Sequence, residues 1–447
     1  MFRKKQFYKE MFNVAIPITV QSFFQSSVSV IDQIMVGQLG SVSITGSGLG
    51  GKFSSLFSVT VTAAATGAGI LISQYYGSKN KKGVNDSFIY SLYFSLIIGV
   101  FFTLISTMMP VKLMSMYSAD PQAVNSAASY LKIISAGFIP MTLTLIISTL
   151  LRCIGYAKYP MCASIVAVVL NTVLNYLLIF GKFIFPEMGL NGAAVATSIA
   201  RMGEFLLIFI FFLRVVKKKN LYISFNIPLK KEFIMKVVRI LYPILICEFL
   251  WSLGENIYAM IYGRIGTDAC AAMTLTNPIQ SLMIGAFCGV ASAAGIITGK
   301  ALGDDQYDNA YDMSKQMIKI GVLGSIVLGI LLSLSAPLYV KIFPVENTLQ
   351  QNTVYILYGF AIILFVKVSN MILGGGVLRS GGNTKMIMFI DIVGTWIFGI
   401  PMGLASAFIF NLPIYYVYFI LSLEEIVRLM ISLIVFKKRI WMKNITQ

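Results

Sequence analysis

The sequence predicts an all-α integral membrane fold, with twelve transmembrane helices in two six-helix lobes related by a pseudo-two-fold axis along the membrane normal. Three observations predict it. Of 447 residues, 57% are hydrophobic and only 12% are charged, and the mean hydropathy is +0.80; a soluble domain carries about 25% charged residues. Twelve apolar segments are long enough to cross a hydrocarbon core about 30 Å thick. The second half of the chain repeats the first.

The segments lie at about 12–36, 46–74, 87–109, 127–150, 160–180, 189–213, 239–262, 271–298, 316–341, 353–377, 386–410 and 412–436. The opening "MFRKKQFYKE" is basic and runs straight into the first. No small-residue cleavage site closes a short apolar region, so it reads as a cytoplasmic end rather than a signal peptide. The second and eighth segments are rich in Gly, Ala, Ser and Thr, which suits close helix packing. "SKNKK", "RCIGYAK", "RVVKKK", "LKKEF", "LRSGGNTK" and "FKKRIWMK" all fall on the side of the N-terminus. The excess of Lys and Arg there places both termini in the cytoplasm of a cell (inner or plasma) membrane.

The longest basic linker, 217–236, separates an N-lobe of residues 1–216 from a C-lobe of 237–447. A shift of 226 sets Pro17 on Pro243, Gly37 on Gly263, Gly40 on Gly266 and Gly77 on Gly303. A shift of 227 sets Pro110 on Pro337 and lays "LRCIGYAKYPM" over "LRSGGNTKMIM", with Arg152 on Arg379, Gly155 on Gly382 and Lys158 on Lys385. Six helices per copy preserve orientation, so the repeats are parallel, the layout of an alternating-access carrier.

The same composition excludes other classes. A net charge of +17 would suggest a nucleic-acid partner in a soluble protein, but no recognition motif accompanies it and none is expected. There is no histidine, hence neither the commonest general base nor the commonest metal ligand. No clustered catalytic set appears, so the chain is not read as an enzyme and needs no cofactor or metal. No filter-like repeat points to a channel. Cys153, Cys162, Cys247, Cys270 and Cys288 are odd in number and lie in or beside apolar segments, the setting of free buried thiols. Asp304, Asp305, Asp308 and Asp312 lack calcium-loop spacing and suit a solvated helix start.

Charges inside the spans carry the functional expectations. Asp32 interrupts a segment uncharged from Met11 to Ile31. A lone carboxylate there costs about 2.5–3.5 kcal/mol on insertion scales, so it faces a cavity. Gln25, Val28 and Ser29 share its face, and the polar Gln25 and Ser29 mark a wet interior. Asp32 either binds a coupling ion or fixes the first helix through hydrogen bonds. Asn171 and Asn175 stand one turn apart on the fifth helix and serve either that ion or interhelical packing. Glu248 and Glu255 lie two turns apart on the seventh helix, with Glu255 on Ser29 in the repeat, and Lys367 lies on the tenth. Lys367 is expected to pair with Glu248 or Glu255, as a tethered cation or as an ion pair that only orients helices. Arg201 with Glu204, and Glu425 with Arg428, are i,i+3 pairs read as packing devices. Asp391 on the eleventh helix is a candidate gate, cap or coupling residue. Lys52 either lines the cavity or snorkels outward.

Asp32 followed by Gly37 and Gly40, "ISQYYGSKN", "LNTVLNYLLIFGKF" followed by "GLNGAAVATSIA", "LRSGGNTK" and "DIVGTWIFGIPMGL" occur in an order that resembles the multidrug and toxic compound extrusion (MATE) family along essentially the whole chain. The resemblance implies a two-lobe secondary antiporter that exports amphipathic or cationic drug-like compounds in exchange for H⁺ or Na⁺, as a monomer in the lipid bilayer. It makes Asp32 the principal coupling carboxylate, with Asn171 and Asn175 beside it. Asn175 replaces an Asp of the proton-coupled branch, and Lys367 stands near an Asp of the sodium-coupled branch; both departures lean toward H⁺. The alternative is a lipid-linked saccharide or metabolite flippase of the same superfamily, which would line its cleft with several Arg. Helix 1, kinked at Pro17, is a candidate moving part.

Overall fold

Each of the twelve apolar segments forms a helix in the computed structural model, which describes residues 2–118, 120–224, 230–341 and 346–446; the side chains of 2–6, 28–30, 41 and 267 lie outside the described set. The helices are α1 (Phe2–Gly37), α2 (Ser41–Gly77), α3 (Lys81–Met108), α4 (Pro121–Cys153), α5 (Lys158–Ile179), α6 (Gly189–Lys219), α7 (Lys231–Ile265), α8 (Thr267–Gly303), α9 (Tyr307–Val340), α10 (Asn347–Leu378), α11 (Thr384–Ile409) and α12 (Ile414–Ser422 continued by Glu424–Lys437). Among the described residues, nine are apolar and long enough to span by those criteria alone. The other three, α6, α7 and α12, carry Arg201 and Glu204, Glu248 and Glu255, and Glu424, Glu425 and Arg428. Charge also enters helices that pass, at Asp32 of α1, Lys367 of α10 and Asp391 of α11, and α12 is divided into two pieces of 9 and 14 residues.

Local chemistry sets the helix ends. Asn80 accepts from Gly83 N at 2.8 Å and Asp120 from Gln122 N at 3.0 Å, capping α3 and α4. Lys217, Lys218 and Lys219 fill the last turn of α6, where cations complement the helix dipole. The basic linker is therefore shorter than expected. Lys217–Lys219 are helical, α7 begins at Lys231, and Phe233 stacks on Tyr90 (5.0 Å) and Tyr75 (6.1 Å).

The chain packs as two units: residues 20–76 with 80–238 (the N-unit), and 1–19 with 77–79 and 239–447 (the C-unit). The first nineteen residues of α1 thus belong with the C-terminal half. There Gly289 of α8 lets its backbone meet the carbonyl of Ala15, and Thr19 Oγ1 donates to Ala286 O at 3.1 Å. In the N-unit, Phe57 stacks on Phe138 with ring centroids 4.1 Å apart.

The repeat reaches the backbone. Gly155 and its equivalent Gly382 both hold a left-handed φ, +90° and +73°, at the same turn of the duplicated loop. Only a residue without Cβ adopts this freely. The halves differ in helix regularity. α10 turns π-helical at Met371–Leu378, α11 at Ile392–Gly399 and Ala405–Ile409, and α12 breaks at Leu423 in mid-span. Such bulges concentrate at functional sites.

Candidate functional site

A cavity of about 460 Å³ opens inside the N-unit. It lies within the range of roughly 300–1,000 Å³ typical of small-molecule sites. Gln21, Gln25 and Asp32 reach it from α1, Ser58 and Thr62 from α2, Met141, Thr144 and Arg152 from α4, Ser164 and Asn171 from α5, and Thr197, Arg201 and Glu204 from α6.

Asp32 is half-buried at its wall. Asn175 Nδ2 donates to Asp32 Oδ1 at 2.6 Å. The Asn171 amide fits with its nitrogen toward the carboxylate, donating to Oδ1 at 3.1 Å and Oδ2 at 3.2 Å while its oxygen accepts from Thr197 Oγ1 at 3.2 Å. One turn of α5 thus delivers two neutral donors to one carboxylate. Asn175 Oδ1 is buried and has no hydrogen-bond partner among the described residues. Gln25 Nε2 donates to Ser164 Oγ at 3.3 Å. The side chain of Ser29, grouped with Gln25 in the sequence, lies outside the described residues.

Arg201 pairs with Glu204 at 3.0 Å on the cavity wall. Arg152 was counted with the loop cations, but it lines the cavity and donates from Nη2 to Gln21 Oε1 at 2.7 Å. Its equivalent Arg379 behaves alike. It is 15% exposed and pairs with Glu248 at 3.1 Å, with Cys247 Sγ 3.7 Å away. Cys247 is the repeat equivalent of Gln21. Both Arg stand at the end of a span, so charge density along the sequence places them in the loop; their recurrence at a shift of 227 was the available signal that they do something fixed. Lys52 is exposed and is not among the cavity-lining residues.

The C-unit holds a denser cluster. Lys367 lies 3.7 Å from Glu425; of its two expected partners, Glu248 is taken by Arg379 and Glu255 makes no ion pair among the described residues. The reason is helix phase: Lys367 of α10 faces α12, while the α7 face carrying Glu248 meets the α10–α11 junction. Glu425 also lies 3.7 Å from Arg428 and accepts from Asn370 Nδ2 at 2.7 Å. Arg428 donates to Asp391, and Cys247 Sγ lies against the other Asp391 oxygen. The i,i+3 pair 425–428 is therefore open on both sides, and Asp391 is one of its partners. Glu255 is exposed and makes no ion pair among the described residues. Sequence reasoning missed Glu424. It is buried, 7% exposed, and Tyr258 Oη donates to it.

A multi-pass helical bundle with a drug-sized polar cavity, a half-buried carboxylate at its wall and a duplicated six-helix plan defines a membrane transporter. Comparison with known proteins agrees. The MatE family model matches residues 17–177 and again 243–405, and the chain belongs to this family. The two matches begin 226 residues apart, the shift found in the repeat. The chain is 26% identical to "Probable multidrug resistance protein NorM" of Thermotoga maritima over 98% of its own length and 93% of that protein's. It is 25% identical to "Probable multidrug resistance protein YoeA" of Bacillus subtilis, over 95% and 96%. Its fold matches a solved outward-facing multidrug resistance MATE family transporter with a TM-score of 0.88 at 21% identity, covering 97% of this chain and 95% of that one.

Proposed function

We propose that the protein is a secondary active efflux antiporter that exports amphipathic or cationic drug-like compounds in exchange for H⁺, with both termini in the cytoplasm. The observation that carries the reading is Asp32, held by Asn175 and Asn171 at the wall of the N-unit cavity. Relatives named multidrug resistance proteins support the substrate class.

The carboxylate's surroundings favour a proton over Na⁺. Its two α5 neighbours present N–H groups to an ionised carboxylate, and a single carboxylate with neutral partners suits a proton better than a tightly held Na⁺. When Asp32 takes a proton, the same amides accept it by turning, because the buried Asn175 Oδ1 is an acceptor without a partner. Protonation removes the charge that attracts a cationic drug, so proton and drug compete, and the coupling is reciprocal. α1 leaves the C-unit for the N-unit just after Pro17, which supports that proline as the hinge. The lobe boundaries, 1–216 and 237–447, belong to the same proposal.

Ethidium transport in proteoliposomes tests this. An imposed pH gradient is expected to drive the wild type and not Asp32→Asn. Transport driven by a Na⁺ gradient alone would overturn the proton reading.

One observation favours a second reading, the export of anionic lipid-linked or metabolite cargo: Arg152 and Arg201 both line the cavity. Competition of ethidium uptake by a polyprenyl diphosphate, absent in Arg152→Gln, would support it.

A further inference from the structure

The C-unit cluster balances its charges with two acids left over. Lys367 and Arg428 are matched by Glu425 and Asp391, and Arg379 by Glu248. Glu424 and Glu255 have no ion pair among the described residues. Glu255 is exposed. Glu424 is buried beside the break in α12, with a phenol as its hydrogen-bond partner.

The site around Glu424 is built. Tyr258 comes from α7 and Glu424 from the restarted α12. Between them lies Gly399, the last residue of a π-helical stretch of α11, where a Cβ would fall on Glu424 Oε2 and Tyr258 Oη. The titratable and charged groups that act on it are Tyr258 and Tyr262 from α7, Lys367 from α10, and Glu425 and Arg428 from its own helix.

The repeat supplies a second, independent observation. At a shift of 226, Tyr258 is the equivalent of Asp32, and at the shift of 224 that lays Arg201 on Glu425, Glu424 is the equivalent of Ala200. Ala200 lines the N-unit cavity together with Asp32. The same pair of positions thus holds one carboxylate in each half, on α1 in the first and on α12 in the second.

We propose that Glu424 is a second proton-binding site, in the C-unit, loaded and emptied separately from Asp32. Only an O–H bond changes. The carboxylate accepts from Tyr258 when ionised; when it takes a proton from hydronium, one O–H bond of that ion breaks as the carboxyl O–H forms, the other carboxyl oxygen stays with the phenol, and release returns the proton to water. The proposal rests on the reading of the protein as a proton-driven antiporter, but its test does not require transport.

The test is infrared difference spectroscopy of the purified full chain in lipid nanodiscs, reading the carboxylic-acid C=O stretch as pH is changed. Against the broad band of the solvated carboxyls, the wild type is expected to show two further titrating bands from buried ones. Asp32→Asn removes one, Glu424→Gln removes the other, and the double variant has neither. Tyr258→Phe, which keeps the carboxyl but removes its donor, moves the Glu424 band without abolishing it. This second variant covers the case in which Glu424→Gln does not fold. Wild-type and Glu424→Gln spectra that superimpose would overturn the proposal. So would loss of the band on adding Na⁺ at fixed pH, which would make the site a metal site. Dead proteoliposomes with both bands intact would instead retire the antiport reading and leave Glu424 standing.

Discussion

Glu425 is the hub of the C-unit cluster, and replacing it with Gln separates charge from hydrogen bonding. The side chain is 12% exposed and lies 3.7 Å from Lys367 and from Arg428, whose side chains are 24% and 16% exposed. A Gln oxygen still accepts from Asn370 Nδ2, which lies 2.7 Å from Glu425 Oε2. Shape and that bond persist; the negative charge goes. Arg428 keeps Asp391, but Lys367 is left in the bundle with no carboxylate in ion-pair reach among the described residues. Removing one member of a buried ion pair costs about 3–5 kcal/mol, most of it from the charge left behind. Glu425→Gln is therefore expected to destabilise by that amount in a reversible SDS unfolding titration in mixed micelles. Lys367→Met in the same chain removes the stranded charge, and the double variant is expected to recover up to about 3 kcal/mol, the upper range of coupling for contacting residues. Glu255→Gln should lie within about 0.5 kcal/mol of wild type, as exposed substitutions do. If Glu425→Gln is as stable as wild type while Glu255→Gln is not, Lys367 belongs to Glu255 and the pairing described above is wrong.

Other perturbations are equally specific. Gly289→Ala pushes a Cβ into the Ala15 carbonyl; backbone cannot yield as a side chain can, so thermal melting should fall by the equivalent of about 1–3 kcal/mol. Arg152→Leu leaves Gln21 Oε1 buried without its donor, costing about 1–3 kcal/mol, and Arg152→Lys should not restore it, because a lysine lacks the guanidinium fork; the same melts decide. If proton and cationic drug compete at Asp32 as proposed, ethidium affinity of the wild type should weaken as pH falls, and equilibrium binding to Asp32→Asn should be weak and flat with pH. Gly399→Ala is expected to displace Glu424 from Tyr258 and to shift or erase the infrared band assigned to Glu424.

Much of the fold is legible in the sequence because hydrocarbon is an unforgiving solvent. Backbone polar groups must be satisfied within each segment, so an apolar run of sufficient length has few alternatives to a helix. The Asp32 site was legible for the same reason: a lone carboxylate in such a run needs a justification, and the two asparagines one turn apart supply donors in the right phase. The C-unit was less legible. Partner choice there depends on the rotation of α7, α10 and α12 about their own axes, and the π-helical stretches after Asn370 and Asp391 change that rotation without leaving a mark in residue periodicity. Glu424 was hidden by its neighbour. Beside the obvious i,i+3 pair of Glu425 and Arg428, it reads as one more charge in an acidic doublet, and only its packing against Tyr258 sets it apart.

Duplication explains why the two halves look so different around equivalent positions. Ser164 and Asp391 share a repeat position, as do Glu204 and Arg428, Arg201 and Glu425, and Gln21 and Cys247. In the first half these places surround open volume: Ser164 meets only Gln25 among the described residues, and Arg201 closes on Glu204. In the second half they are knitted together, with Arg428 reaching both Asp391 and Glu425. A parallel repeat needs two lobes that pack and move alike, but it does not need two substrate chambers. Mutually satisfied charges hold the C-unit helices in register, while the N-unit keeps an open cavity of about 460 Å³. On the proposed function, that difference puts binding in the N-unit cavity and a supporting role in the C-unit cluster, where Glu424 is the buried acid without an ion pair among the described residues. A variant that neutralises the Lys367–Glu425–Arg428–Asp391 network, with Lys367→Met, Glu425→Gln, Arg428→Met and Asp391→Asn together, should therefore retain ethidium binding, whereas Asp32→Asn alone should bind weakly. Equilibrium binding to the two purified proteins distinguishes them, and loss of binding in the first with the fold intact would refute the division.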